Sequence, residues 1–258
     1  MTSSNLLHAE LLQTDRGSAP DRIFSVPVKD GAPCLALIGC DGAGKSTLAA
    51  ELTERLNRLA PTRSVYLGLG TGDLGRLIGR IPVLGPITER FLTGKAKKAH
   101  DGAAKRLPGL ATATAMFGFS LLRLRRFRKV LAYRERGIQV VTDRYPQVEV
   151  AGTFDGPSLA WTRRGSLLVE RLAARERALY EDMSAHRPTL VIRLNVDADT
   201  ALARKGDHDR AQLERKLAVI PTLRFGGAPI VDVDATLAYP VVVATILDVA
   251  GRYGLLGL

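Results

Sequence analysis

Cysteine is nearly absent: Cys34 and Cys40 are the only two in 258 residues. They stand six apart with no His or Cys cluster around them, so neither a disulfide scaffold nor a zinc site is supported. A reducing, cytoplasmic compartment is the expectation. Aromatic residues are also scarce, at 5% with a single Trp. The N-terminus, MTSSNLLHAELLQTDRGSAPDR, lacks a basic stretch followed by an apolar core and does not read as a signal peptide. No transmembrane segment is expected either. The longest uncharged run, 107–122, has 16 residues and includes Pro108, two glycines, two threonines and a serine. It reads as a buried or pocket-lining helix. No segment recurs at a fixed period, which excludes a repeat array. An excess of basic charge is missing from most of the chain. Residues 90–136 carry 13 Lys/Arg against 2 Asp/Glu, and the remainder holds 24 of each sign. The net charge of +11 therefore describes one segment rather than a basic surface.

What is present suits one large globular domain. Hydrophobic residues make up 46%, enough to build a core. Residues 1–30 read as a polar extension interrupted by Gly17, Pro20 and Pro27, and 31–258 as a single domain. Near-continuous apolar runs at 34–39, 64–69, 138–143, 189–196 and 228–234 have the character of parallel strands buried on both faces. Helical patterns separate them at 45–59, 110–135, 166–185 and 237–253. Strands alternating with helices imply a three-layer α/β domain around a parallel sheet.

The strongest signal is GCDGAGKST at 39–47, which satisfies G-x-x-x-x-G-K-[ST] between an apolar strand and a helix start. Glycines allow the tight bend that aims backbone N–H groups at phosphate oxygens, and the helix N-terminus adds partial positive charge. Gly39, Asp41, Gly42, Ala43, Gly44, Lys45, Ser46 and Thr47 are the expected nucleoside-triphosphate-binding residues. Lys45 would reach the β- and γ-phosphates, and the Ser46 hydroxyl would ligate Mg²⁺. A second clue is the run IQVVTD, which ends in Asp143 and is followed by Arg144 and Tyr145. A carboxylate at the end of a strand beside the loop can hold Mg²⁺ or its water, and Arg144 could neutralise a phosphoryl group on an acceptor. A third is ALARKGDHDRAQLERK at 201–216, read either as a mobile segment delivering Arg to the reaction or as a solvated helix pair.

Taken together, GCDGAGKST, TDRY at 142–145 and ALARKGDHDRAQLE resemble the thymidylate kinase family of P-loop kinases. The resemblance spans roughly 33–250. V-Y-L-G after the P-loop helix and D-R-Y-P-Q later look like a divergent branch of that family, met among polysaccharide-assembly proteins. It implies a P-loop fold with a five-stranded parallel sheet in the order 2-3-1-4-5 and a short lid. It also implies ATP and Mg²⁺ as cofactors. Lys45, Asp41, Arg144, Arg204 and Arg210 would be catalytic, the last two as lid candidates. Asp41, Arg144, Tyr145 and Gln147 would face the acceptor, and Ser46 with Asp143 would hold the metal. The family's T-R-E-P-G-type segment is replaced by YLGLGTGDLG at 66–75, with no Arg before Arg76. The acceptor therefore stays open among a nucleoside monophosphate such as dTMP, a nucleoside and a sugar.

The alternative is a P-loop regulatory module or ATPase without small-molecule kinase activity. Against it, Asn195-Val196-Asp197-Ala198-Asp199 lacks the Lys of a guanine-reading N-K-x-D, and Asp143 is followed by Arg rather than by Glu. A second copy of the chain, as a homodimer, is another open partner. Nucleic acid is not expected, because the basic segment has no recognised reading motif. Leu121, Leu124, Phe127 and Leu131 form an apolar stripe, which turns the basic residues of 123–129 mostly to solvent. Core packing is the expectation for Met116 and Phe117, and turn chemistry for Asp155.

Overall fold

The computed structural model describes residues 31–68, 109–152, 154–159, 166–204 and 210–256. Expectations for the extension at 1–30, for most of 66–75 and for the lid tip at 205–209 lie outside the described residues. Five short runs rich in Val, Ile and Leu form the sheet: β1 (Cys34–Gly39), β2 (Thr62–Tyr66), β3 (Gln139–Asp143), β4 (Leu190–Asn195) and β5 (Ile230–Asp234). All pairings are parallel and the order is β2-β3-β1-β4-β5, as the family resemblance implied. Helices cover both faces, so β1 and β3 are buried at every position, while the edge strands β2 and β5 keep exposed ones. That open edge is why β2 starts two residues before its apolar run: Arg63 and Ser64 can join the ladder with their side chains in solvent.

The register places the chemistry. Leu37 and Tyr66 both stand opposite Asp143, so β2 and β3 end level with one another and β1 runs on past them to Gly39. In an open parallel sheet, ligands bind outside these C-terminal ends. Helix α1 (Lys45–Asn57) leaves the end of β1 and lays Leu48, Leu52 and Leu56 against the sheet. Each such buried Leu contributes roughly 1.5–3 kcal/mol.

Helix α2 (Leu110–Glu135) has the bounds expected from its sequence and is about 39 Å long at 1.5 Å per residue. Helix α3 (Leu167–Ala185) starts at Ser166, whose hydroxyl accepts from the Val169 N–H. Their contacts advance together, Ser120 to Glu176 and Arg123 to Tyr180, so the two helices run in the same direction. Met116 packs with Ala113, Leu159 and Val169, with Phe117 against them, as expected for core residues. Helices α4 (Ala198–Arg204) and α5 (Arg210–Val219) follow β4, and α6 (Tyr239–Arg252) follows β5. Among the described residues no helix is long and apolar enough to cross a membrane.

The buried stripe of α2 differs from the expected one. Of the expected residues Leu124 and Phe127 are buried and Leu131 is half-buried, whereas Leu121 is 44% exposed; Met116, Ser120, Arg123, Val130 and Arg134 complete the buried face. Arg125, Arg128 and Lys129 do face solvent, but Arg123 does not. The reason is hydrogen bonding. The Arg123 guanidinium finds four acceptors inside the protein, and a satisfied cation can occupy a core position that apolar counting reserves for leucine.

Candidate functional site

The loop between β1 and α1 is built on backbone freedom. Gly42 and Gly44 have φ of +88° and +85°, a region that L side chains rarely adopt. At Gly42 space is short as well, because a Cβ there would meet the Ala201 carbonyl oxygen of α4 at 2.6 Å. The first turn of α1 holds no acidic residue and no side-chain cap, so its N–H groups stay available to an anion. Lys45 is buried and donates to the Cys40 carbonyl at 2.6 Å. Burial pushes the Lys45 ammonium down to about 8, and Arg144 acts in the same direction.

Ser46 donates to Asp143 Oδ2 at 2.5 Å, joining the start of α1 to the end of β3. The other carboxylate oxygen, Asp143 Oδ1, is buried without a hydrogen-bond partner among the described residues. An unsatisfied carboxylate oxygen beside a hydroxyl is a hard-oxygen donor set that suits Mg²⁺. The residues present therefore fit that cation.

Opposite them stands Arg144, a non-glycine residue at φ +74°. Its N–H donates to the Leu37 carbonyl at 3.0 Å, which pins the strained residue to the end of β1. Its guanidinium meets Asp41 Oδ1 at 2.8 Å and Asp155 Oδ2 at 3.5 Å. Asp155 raises the Arg144 pKa most, ahead of the opposing effect of burial. Asp41 is held from a second side by Lys216 of α5, which donates to Oδ2. Burial pushes the Asp41 carboxyl up, but Lys216 and Arg144 outweigh it and keep it well below the usual carboxylate range.

An open cleft of about 370 Å³ gathers most of the expected residues: Asp41, Gly42, Gly44, Lys45, Ser46, Thr47, Asp143, Arg144 and Arg204. Tyr66, which joins them from β2, lies 5.6 Å from the Arg126 guanidinium by its ring centroid. Gly39 lies beneath the loop, where a Cβ would meet the Leu194 carbonyl oxygen at 2.9 Å. Ala43 is fully buried.

Three further expected residues lie away from the cleft. Tyr145 is buried, donates from its hydroxyl to the His186 carbonyl and packs edge-on against Phe127 and Phe225. Gln147 is buried and hydrogen-bonds the loop backbone at Val150 and Phe154. Both line a separate apolar cavity of about 240 Å³. Arg210 is exposed and pairs with Asp199 at 2.8 Å and Glu214 at 3.0 Å.

The sequence reading missed three contributors. Lys216 and Asp41 are 175 residues apart, and no local pattern signals their meeting. Tyr66 was read as an apolar strand residue. Arg123 carried a signal that was passed over: it lies on the i, i+4, i+7 spacing of Met116, Ser120 and Arg123, which continues through Phe127 and Val130.

No family model matches the chain. It is 44% identical over 213 residues to the uncharacterized ATP-binding protein YghS of Escherichia coli (strain K12), covering 82% of this chain and 88% of that protein. It is 40% identical over 206 residues to the uncharacterized ATP-binding protein YghR of the same strain, covering 80% of this chain and 81% of that one. Among solved structures, the deoxyadenosine kinase from M. mycoides with bound dATP is similar at a TM-score of 0.43 and 15% identity, covering 85% of this chain and 99% of that chain. With two fifths or more of its residues shared along most of both lengths, the chain belongs to the family of YghS and YghR.

Proposed function

We propose that this chain is an ATP-dependent phosphotransferase, moving the γ-phosphoryl group of Mg·ATP to a small acceptor. The observation that carries this reading is the convergence, in one cleft, of the Lys45 loop, the Ser46–Asp143 pair and the Arg144–Asp41 pair. The names of YghS and YghR support ATP as the nucleotide. Loop N–H groups, the α1 N-terminus and Lys45 bind the phosphates. Ser46 and Asp143 would hold Mg²⁺, which would supply charge neutralisation for the phosphates. Arg144, rigid at the level of the loop, orients the acceptor, and Arg204 closes the cleft from α4. The bond from γ-phosphorus to the bridging oxygen breaks as a bond to the acceptor oxygen forms, and ADP leaves. Little covalent work falls to the protein, so positioning and charge neutralisation supply most of the rate.

The acceptor is a nucleoside monophosphate such as dTMP, a nucleoside or a sugar, in keeping with the resemblance to thymidylate kinases. Cys34 and Cys40 are free and buried, which supports a reducing compartment. The test is ADP release from Mg·ATP across a panel of these acceptors, with Lys45→Ala as control. Turnover stimulated by one acceptor and lost in the variant supports the reading. Nucleotide binding with no stimulation by any acceptor would favour a regulatory module instead.

A further inference from the structure

Asp41 is expected to meet the acceptor, yet both of its carboxylate oxygens are taken, Oδ1 by Arg144 and Oδ2 by Lys216. A carboxylate can accept further hydrogen bonds, but with a cation on each oxygen an acceptor group must compete with Arg144 and Lys216 for Asp41. Arg144 is the fixed partner: its backbone is tied to Leu37, and its guanidinium also meets Asp155, itself held by Arg123. Lys216 has one carboxylate partner, a side chain 35% exposed and a flexible four-carbon stem. It is therefore the partner free to move. Asp41 lines the cleft as part of the loop that cradles phosphate, so the Lys216 ammonium paired with it stands beside the region where a triphosphate would place its negative charge.

We propose that Lys216 is a catalytic residue, exchanging Asp41 for the terminal phosphoryl oxygens of ATP and thereby opening Asp41 to the acceptor. The inference rests on the phosphotransfer reading above. The exchange trades one ion pair for another and so carries no large charge penalty. It assigns to a lysine on α5 the part that sequence gave to Arg204 or Arg210, and Arg210 is engaged away from the cleft. In the reaction, negative charge spreads over the transferred oxygens, where Lys216 stabilises it. An acceptor that brings a hydroxyl proton gives it to Asp41, which Lys216 has by then released. Nucleotide consequently binds before acceptor.

The experiment is calorimetric titration of the full chain with Mg·ADP and with the Mg²⁺ complex of a non-hydrolysable ATP analogue. Losing one charge-assisted contact to the γ-phosphate costs about tenfold or more in affinity. Lys216→Met is therefore expected to weaken the analogue by that factor and to leave ADP within about twofold. Lys216→Arg should keep most of the analogue affinity. Arg215→Ala removes the same charge from the same helix and should bind both ligands as wild type. Equal weakening of both ligands in Lys216→Met, or no change in either, overturns the assignment and leaves the phosphotransfer reading standing. A wild-type chain that bound neither ligand would remove the reading and the assignment together.

Discussion

Arg123 and Asp155 meet at 2.6 Å with their side chains 1% and 7% exposed, and through them α2 sets the position of Arg144. Arg123 also donates to the Leu67 and Asp155 carbonyls and to the Tyr180 hydroxyl, so it ties the end of β2, the 154–155 turn and α3 together. Phe154 and Asp155 both have positive φ, at 47° and 65°, a costly conformation that this anchoring stabilises. Removing one partner of a buried pair leaves the other charged and unpaired. Arg123→Leu should therefore lower stability by about 3–5 kcal/mol, read from urea unfolding. The double variant Arg123→Leu/Asp155→Leu should recover part of that loss. A cost for the single variant below about 1 kcal/mol would mean that water already reaches the pair.

Gly42 and Gly44 separate strain from crowding. Both have positive φ, but a Cβ at Gly44 meets nothing within 4 Å, whereas one at Gly42 runs into the Ala201 carbonyl. Gly44→Ala should cost the left-handed penalty of about 1–2 kcal/mol. Gly42→Ala should cost more and push α4 away from the loop. Thermal unfolding of the two free variants gives the comparison, and equal midpoints would contradict the close packing of loop and α4.

Asp143→Asn tests the cation. The amide preserves the shape and can still accept from Ser46, but it loses the charge and the free carboxylate oxygen that fit Mg²⁺. The Mg²⁺ concentration that half-saturates nucleotide binding should rise about tenfold or more, while binding measured in excess chelator stays close to wild type. Unchanged Mg²⁺ dependence would take Asp143 out of the metal site.

The parts legible in sequence are those set locally. GCDGAGKST carries its own conformation through its glycines, and its place between a strand and a helix follows from apolar periodicity. The 2-3-1-4-5 order came from resemblance, and the structure bears it out. The α2 stripe was legible at Leu124 and Phe127, but Arg123 was left out of it because hydrophobic counting excludes an arginine whose acceptors lie 32 to 57 residues away. Tyr145 and Gln147 inherited a role from the D-R-Y neighbourhood. At the end of β3 the chain turns inward after Arg144, which buries both side chains and leaves the arginine facing the cleft. Contacts such as Lys216 with Asp41 belong to tertiary placement alone.

Lys45 makes two pH dependences run in opposite directions. Burial, reinforced by Arg144, lowers its ammonium to about 8, so above that pH the free protein holds a neutral lysine. Phosphate favours the charged form, and the bound lysine therefore titrates higher than the free one. Nucleotide affinity should be flat below about pH 8 and fall as pH rises past it, with a proton taken up on binding in that window. Stability follows the other sign. The folded pKa lies below the unfolded lysine value, so between the two the unfolded chain binds more protons and the Lys45 contribution to stability rises with pH. Calorimetry in two buffers of different ionisation enthalpy measures the proton uptake, and urea midpoints from pH 7 to 10 measure the stability. Lys45→Met should abolish the uptake and flatten the Lys45 part of the stability slope. Affinity that stayed constant through pH 9 would mean that Lys45 keeps an ordinary lysine pKa and is not desolvated beneath the loop.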